Sequence, residues 1–465
     1  MIASGNFILR GRLMMASIAL ASCGWGCNSH RSDDGLNHVA NLISQSTPQR
    51  VRWNRGSADD LATRDELKAL LQHPLGADDA VQIALLNNRS LQATYEELGV
   101  AQADLVQAGL LSNPKLFASV RIPNHGPGSP DAEFSVAEDF LELFMVPLRK
   151  RIAADKLAVA ERRVADAVLA MEHEARVAFY TYQGRRQTLA LQKTILDAQQ
   201  SSCDLARQQH KAGNISDLDL ASEEASFSTA KLEVARTEFA AKADREEVTR
   251  LMGLSGPEVD TWQAAEKLPD MPAAETSMQE LESLAIRQRL DLDAERRQTL
   301  IIARSLGLTE QFCLTGIEIG IDVERRDATE NYVTIAGPQL TVELPIFDQK
   351  QAQIARLQAE YRQGVDRIAA MASDIRSQVR VARDRIAAAR QTAQLYQDVL
   401  IPQRRQVTAL SEKHYNAMLL GVDRWLIARQ MEVTAYKEYI EAVRDYWIAK
   451  SDLERAVGGR LVEAK

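Results

Sequence analysis

The sequence predicts a mainly α protein that carries a membrane β-barrel portion, built from a duplicated helix–strand–strand–helix–helix unit. The clearest evidence is a strand that runs straight into a very long helix. Across Gln339–Leu344, Leu340, Val342 and Leu344 fall on one face and Gln339, Thr341 and Glu343 on the other, the period of a strand with one apolar and one wet side. Past Phe347 the period changes. Ile354, Leu357, Tyr361, Val365, Ile368 and Ala372 follow at steps of three and four, a pattern that runs on to Ala393 and marks a coiled-coil seam. The second observation is that the chain does this twice. The third is a secretory-type N-terminus.

Composition agrees with long helices packed side by side: aromatic residues are 5% and charged residues 26% of the 465 positions. A net charge of −8 argues against a nucleic-acid partner. After the N-terminus no stretch offers the ~20 uninterrupted apolar residues of a spanning helix.

The chain opens with Arg10 and Arg12, then the apolar run Leu13–Ala21, the order of a signal peptide, assigned to residues 1–22. Leu20-Ala21-Ser22-Cys23 resembles the lipobox of bacterial lipoproteins, so Cys23 is the expected lipidated first residue of the mature chain. Cys27 has no leucine three places upstream. With only Cys203 and Cys313 besides, there is no disulfide framework. Residues 23–77 read as a polar, mostly extended arm with one short helix at Ala62–Leu71.

The first unit is assigned to residues 78–257. A helix capped by Asp78 or Asp79 stops before Pro114. Strands follow at Lys115–Ile122 and Glu133–Phe140, separated by a Pro/Gly-rich loop at Asn124–Asp131. From Pro147 a helix continues to about His210, breaks at KAGNISDLDL, and returns over Asp217–Met252. Residues 258–276, with Pro269 and Pro272, read as a linker.

The second unit is assigned to residues 277–459. It repeats the order: a helix over Ser277–Leu308, a strand within Cys313–Arg325, a polar loop at Arg326–Tyr332, the strand at Gln339–Leu344, a helix to about His414, a break at YNAMLLGVDRW, and a last helix ending at Gly458-Gly459. Residues 460–465 remain as a tail. Ala84, Leu91 and Ala93 match Ala285, Leu292 and Ala294, and Met252-Gly253 matches Val457-Gly458. This is an internal duplication.

A helix of ~65 residues spans ~100 Å, which no globular domain needs. Four strands of barrel length cannot close a barrel, and their open edges would be unpaired in lipid. If the strands span a membrane, several chains must share one barrel; otherwise they form a soluble four-stranded sheet capping a coiled coil. From Asp78 to Gly459 the chain resembles the TolC-like outer-membrane efflux proteins, on DDAVQIALLNNRSLQATYEELGVAQADLVQAGLLSNPKL, GPQLTVELPIFDQKQAQIARLQAEY, KAGNISDLDLASEEA and YNAMLLGVDRWLIARQ. The resemblance implies a homotrimer with a twelve-stranded outer-membrane barrel. It also implies a helical tunnel across the periplasm of a Gram-negative cell, a periplasmic adaptor, and an inner-membrane pump. It further implies that the two helix breaks form the periplasmic tip. The YNAM-type turn is similar to the branch exporting heavy-metal cations such as copper or silver, while a drug or a secreted protein stays open as cargo. The alternative is a periplasmic coiled-coil adaptor or structural lipoprotein without a pore.

No enzyme constellation is present, no cofactor motif occurs, and the seven histidines lack metal-ligand spacing. Glu172-His173 has no second histidine of a zinc helix. With no phosphate-cradling glycine loop, energy must come from a partner. The candidate site residues are therefore those of a conduit. Glu318, Asp322, Glu324 and Glu343 lie on the wet strand face and would line the lumen. Gly213, Ser216, Asp217 and Asp219 at the first break, and Met418, Gly421 and Asp423 at the second, would form the aperture. Met418 takes the place of Gly213, and Gly421 that of Ser216. His210 and His414 read first as solvated helix-end residues.

Overall fold

The computed structural model describes residues 33–461 except 45, 57–58, 123, 125–129, 274–277, 279, 312–315 and 329–330. The expected signal peptide, Cys23, Cys27, Cys313 and most of the expected Asn124–Asp131 loop lie outside the described residues.

Helices α1 (Asp33–Ile43) and α2 (Asp59–Leu71) belong to the arm, where only the second was expected. Then come α3 (Ala77–Asn87), α4 (Arg89–Ala108), β1 (Lys115–Arg121), β2 (Asp131–Asp139), α5 (Phe140–Lys211) and α6 (Asp217–Leu251). A short α7 (Glu258–Thr261) leads to α8 (Leu281–Gln288), α9 (Leu290–Gln311), β3 (Ile317–Ala328) and β4 (Asn331–Val342). The last helices are α10 (Gln351–Leu395), α11 (Ile401–Asn416) and α12 (Val422–Val457), with a π-helical turn at Tyr396–Leu400 between α10 and α11.

Several boundaries differ from the sequence reading, each for a local reason. The first helix is two helices, because the Asn88 side chain accepts from Leu91 N–H at 3.0 Å and caps a new start. The second unit breaks at the matching place, Arg289. Helix α5 begins at Phe140 rather than Pro147, since Asp139 accepts from the amides of Leu141 and Glu142 and so caps it there. Pro147 sits two turns in, where its missing N–H frees a single carbonyl. The loop expected at Arg326–Tyr332 is shorter: β3 runs to Ala328 and β4 starts at Asn331. Pro402 likewise lacks the N–H that an α-helix would offer to Asp398, and the helix takes its π turn just there.

The four strands form one antiparallel sheet in the order β1-β2-β3-β4. Ile321 stands opposite Val136 and Pro338, and Ile319 opposite Leu340. Leu116, Val136, Ile321 and Leu340 thus share one face, and in this protomer it faces outward: Leu116 is 75% exposed, Ile321 63% and Leu340 67%. Strands β1 and β4 leave unpaired edges. A lone protomer in water would be an aggregation hazard.

The core lies instead where the helices meet, at the collar between sheet and hairpins. Val39 and Ile43 of α1 pack with Val81, Leu85, Tyr95 and Val164. Leu281, Leu292, Ile375 and Tyr446 make the matching cluster of the second unit. The expected linker is no loose tether: Trp262 is fully buried, and Leu75 exchanges backbone bonds with Gln263 and Ala265. Each hairpin's return helix closes on a glycine of left-handed φ, Gly253 (+66°) and Gly458 (+93°), packed against the helix break at Asn87–Asn88 and Arg289 respectively. The duplication is therefore visible as one joint used twice.

Candidate functional site: strand face and hairpin tips

All four strand carboxylates lie on the sheet face opposite the apolar one. Glu318 pairs with Thr341, Asp322 with Gly337 and Glu324 with Ile335, while the Glu343 amide bonds Gly316. They do not stand alone. Lys115 Nζ reaches Glu318 at 2.5 Å and Arg326 reaches Glu324 at 2.7 Å, with Arg121 on Glu133 at 2.5 Å. Lys115 and Arg121 reach their acids across the sheet and are visible only once the register is known, whereas Arg326 stands two residues from Glu324 on the same strand. Asp322 and Glu343 have no cationic partner among the described residues. Phe117 and Ile335 share this face, so it is not uniformly polar.

At the first tip the chain reverses through Gly213 at φ +74°. Ser216 then caps α6: its Oγ accepts from Asp219 N–H, and the Asp219 carboxylate accepts from the Ser216 amide and hydroxyl. Those bonds hold the Asp219 carboxyl below its usual range. This box is therefore present above ordinary carboxylate pH and is lost only as pH falls through that lowered value. Asp219 is thus committed to the turn rather than free to face a passing ion. Asp217 stands 2.7 Å from His210 Nε2. The Ser216–Asp219 box follows from the Ser-x-x-Asp spacing, whereas the His210 partner of Asp217 lies across the turn and is not written in it.

The second tip has the same backbone with poorer chemistry. Met418 occupies the left-handed position at φ +59°, and its N–H bonds Tyr415 O as Gly213 N–H bonds His210 O. Gly421 starts α12 with no side-chain cap. Tyr415 and Trp425 stack across the turn at 5.6 Å. The backbone of Asp423 is in the first turn of α12; its side chain lies outside the described residues. Replacing Met418 by glycine should relieve the left-handed strain and stabilise this tip by about 0.5–1 kcal/mol. Slower hydrogen exchange over residues 414–422 would show it, and faster exchange would refute it.

Between sheet and tips the collar holds a buried ion cluster. Arg176 donates to Glu172 (2.7 Å), Glu454 (3.1 Å) and Asp78 (2.8 Å), and Arg460 donates to Asp78 at 2.5 Å. Burial raises the carboxyls of Glu172 and Glu454, against the pull of Arg176. Among the described residues no group of His, Cys, Asp and Glu could hold a metal ion, and no helix is long and apolar enough to cross a membrane.

An open antiparallel four-stranded sheet, apolar on one face, sits above two helical hairpins whose outgoing α5 spans ~110 Å. No protein-family model matches the chain. Solved structures do, over nearly its whole length. A membrane protein from Pseudomonas aeruginosa superposes with a TM-score of 0.68 at 18% identity, over 89% of this chain and 98% of that one. The outer membrane protein VceC from Vibrio cholerae gives 0.68 at 14% identity, over 83% and 97%. The chain has the TolC-like fold.

CusC matches this TolC-like chain at 0.68 and 12% identity, over 89% of this chain and 97% of that one. By sequence it is similar to the cobalt-zinc-cadmium resistance protein CzcC of Cupriavidus metallidurans, 23% identical over 358 residues, 75% of this chain and 80% of that protein. In the TolC-like fold the two breaks singled out from sequence are the far ends of the hairpins, and the four strand carboxylates sit at the opposite end of the molecule.

Proposed function

We propose that the protein is the passive outer-membrane exit duct of a tripartite efflux system, and that its cargo is a divalent metal cation. The observation that carries the duct reading is the open sheet with an outward apolar face above a ~100 Å helical hairpin pair. Three copies of four strands give a closed twelve-stranded barrel, which removes both open edges.

The helices support the same ring. Helix α5 packs on α6 and on α12, and α12 packs on α10 and α11, so α6 and α10–α11 are the outer flanks. Both flanks expose apolar side chains: Leu232 and Phe239 on one, Leu395, Val407 and Leu410 on the other. A head-to-tail ring of identical chains covers one flank with the next. Cys23 anchors each chain to the outer membrane, residues 78–257 and 277–459 are two copies of one unit, and the tips meet a periplasmic adaptor and an inner-membrane pump. Asp423 with Asp322 and Glu343 are the carboxylates left to set cation preference, and Asp217 shares its charge with His210. The metal reading rests on the likeness to CzcC.

The test begins with fractionation. Sarkosyl-insoluble outer-membrane trimers that conduct in planar bilayers support the duct; a soluble periplasmic monomer without conductance overturns it. Deleting the gene should sensitise cells to cobalt, zinc or cadmium. Sensitisation to drugs alone would keep the duct and remove the metal.

A further inference from the structure

The stretch from Ser46 to Gly56 forms neither helix nor strand, yet its backbone is hydrogen-bonded at Ser46, Arg50, Arg52 and Asn54 to other parts of the chain. Gln82 on α3 accepts from Arg50 N–H at 3.0 Å and donates to Arg50 C=O at 3.0 Å. Gln92 on α4 accepts from Asn54 N–H at 2.8 Å and donates to Arg52 C=O at 2.9 Å. A primary amide offers an extended chain the same donor and acceptor that a neighbouring strand would. Gln92 is buried and its two bonds are partly shielded from water, whereas those of Gln82 are exposed. Trp53 adds a side-chain anchor, its indole N–H on Glu96 at 2.9 Å and its ring against Gly99, where a Cβ would sit 3.4 Å away.

The other end of this stretch holds the end of the chain. Ser46 C=O accepts from Arg460 N–H at 3.0 Å, and Ser46 Oγ donates to Gly458 C=O at 3.2 Å. Thr47, itself buried, bonds Glu172 of α5. Gly459 passes so close that a Cβ there would lie 2.7 Å from Ser46 Oγ. About ten consecutive residues thus touch the first helix pair, the outgoing helix of the first hairpin, and the last turn of the second.

We infer that residues 46–56 act as a strap, read through their backbone by Gln82 and Gln92, which fastens the end of the second repeat to the collar of the first. The inference is independent of what the protein conducts. It follows that Arg50 and Arg52, whose side chains are not what the glutamines read, tolerate substitution, whereas Gln82 and Gln92 do not.

Hydrogen exchange by mass spectrometry on the full-length protein in detergent tests this. In the Gln82→Leu/Gln92→Leu double variant, protection should be lost both over residues 47–55 and over residues 457–461, and Gln82→Glu, which keeps the acceptor but not the donors, should give a partial loss. Loss confined to residues 47–55, with the chain end unchanged, would mean an ordinary ordered loop and overturn the strap. Unchanged protection in both would also overturn it. Should the double variant not fold, wild type in sub-denaturing guanidinium decides: Arg50, Asn54 and Arg460 amides opening together support the strap, and separate opening refutes it.

Discussion

Replacing Arg176 by methionine is expected to destabilise the protein by about 3–5 kcal/mol, the cost of removing one partner from a buried ionic group. Arg176 is 7% exposed and binds three carboxylates that come from α3, α5 and α12. Without it, Glu172 and Glu454 are buried charges with little compensation. Both carboxyls are already raised by burial, and in the variant they rise further. A raised acid favours the folded state below its unfolded value and loses that advantage as pH climbs through the folded one. The penalty should therefore be larger at pH 8 than at pH 5.5. Guanidinium midpoints of the detergent-solubilised protein at both pH values measure it. A penalty that is no larger than for Arg236→Met on exposed α6, or one that shrinks as pH rises, would sink this account of the collar.

Gly253→Ala should be nearly as damaging. An alanine at φ +66° costs ~1–2 kcal/mol from the left-handed backbone alone. Its Cβ would also stand 2.6 Å from Asn87 O. That carbonyl cannot retreat easily, because the Asn87 side chain donates to both Met252 O and Gly253 O. Overpacking adds ~1–3 kcal/mol, for a total of about 2–5 kcal/mol. The matching Gly458→Ala meets Arg289 Cγ at 3.2 Å and the Arg289 backbone Cα and N at 3.3 Å, contacts less severe than 2.6 Å, and should cost less. Thermal midpoints that fall equally for the two variants would contradict the asymmetry.

What the sequence made legible was whatever repeats with a period. Leu340-Val342 and Ile317–Val323 alternate, and Ile375, Val379, Ala382 and Ile386 follow a helical seam; these were placed on the right face, while Leu344 lies past the end of β4. What stayed hidden depends on partners distant in the chain. Nothing near Glu318 in sequence points to Lys115, which the register brings within hydrogen-bond reach. The helix break at Asn88 lies inside an unbroken apolar pattern. It is fixed by an asparagine that serves at once as cap and as donor to Leu251 O. The α1 helix was missed because its packing face is only Val39, Ile43 and partly buried neighbours, completed by residues from three other helices. At the tips, the special backbone positions were found by aligning the breaks. The Asp217–His210 pair was not, since a carboxylate looks alike whether it faces a turn or an axis, while the Ser216–Asp219 box is written in the Ser-x-x-Asp spacing.

The unpaired edges of β1 and β4 have a genetic consequence. In the three-chain barrel proposed above, each edge is closed by a different neighbour, so a subunit with one spoiled edge damages every ring that it joins. If such a subunit is made in equal amount with the normal one, only about one ring in eight contains normal chains alone. A proline substitution on β1, opposite the bonding edge, should therefore act as a dominant allele in cells that still carry an intact copy, whereas loss of the gene should be recessive.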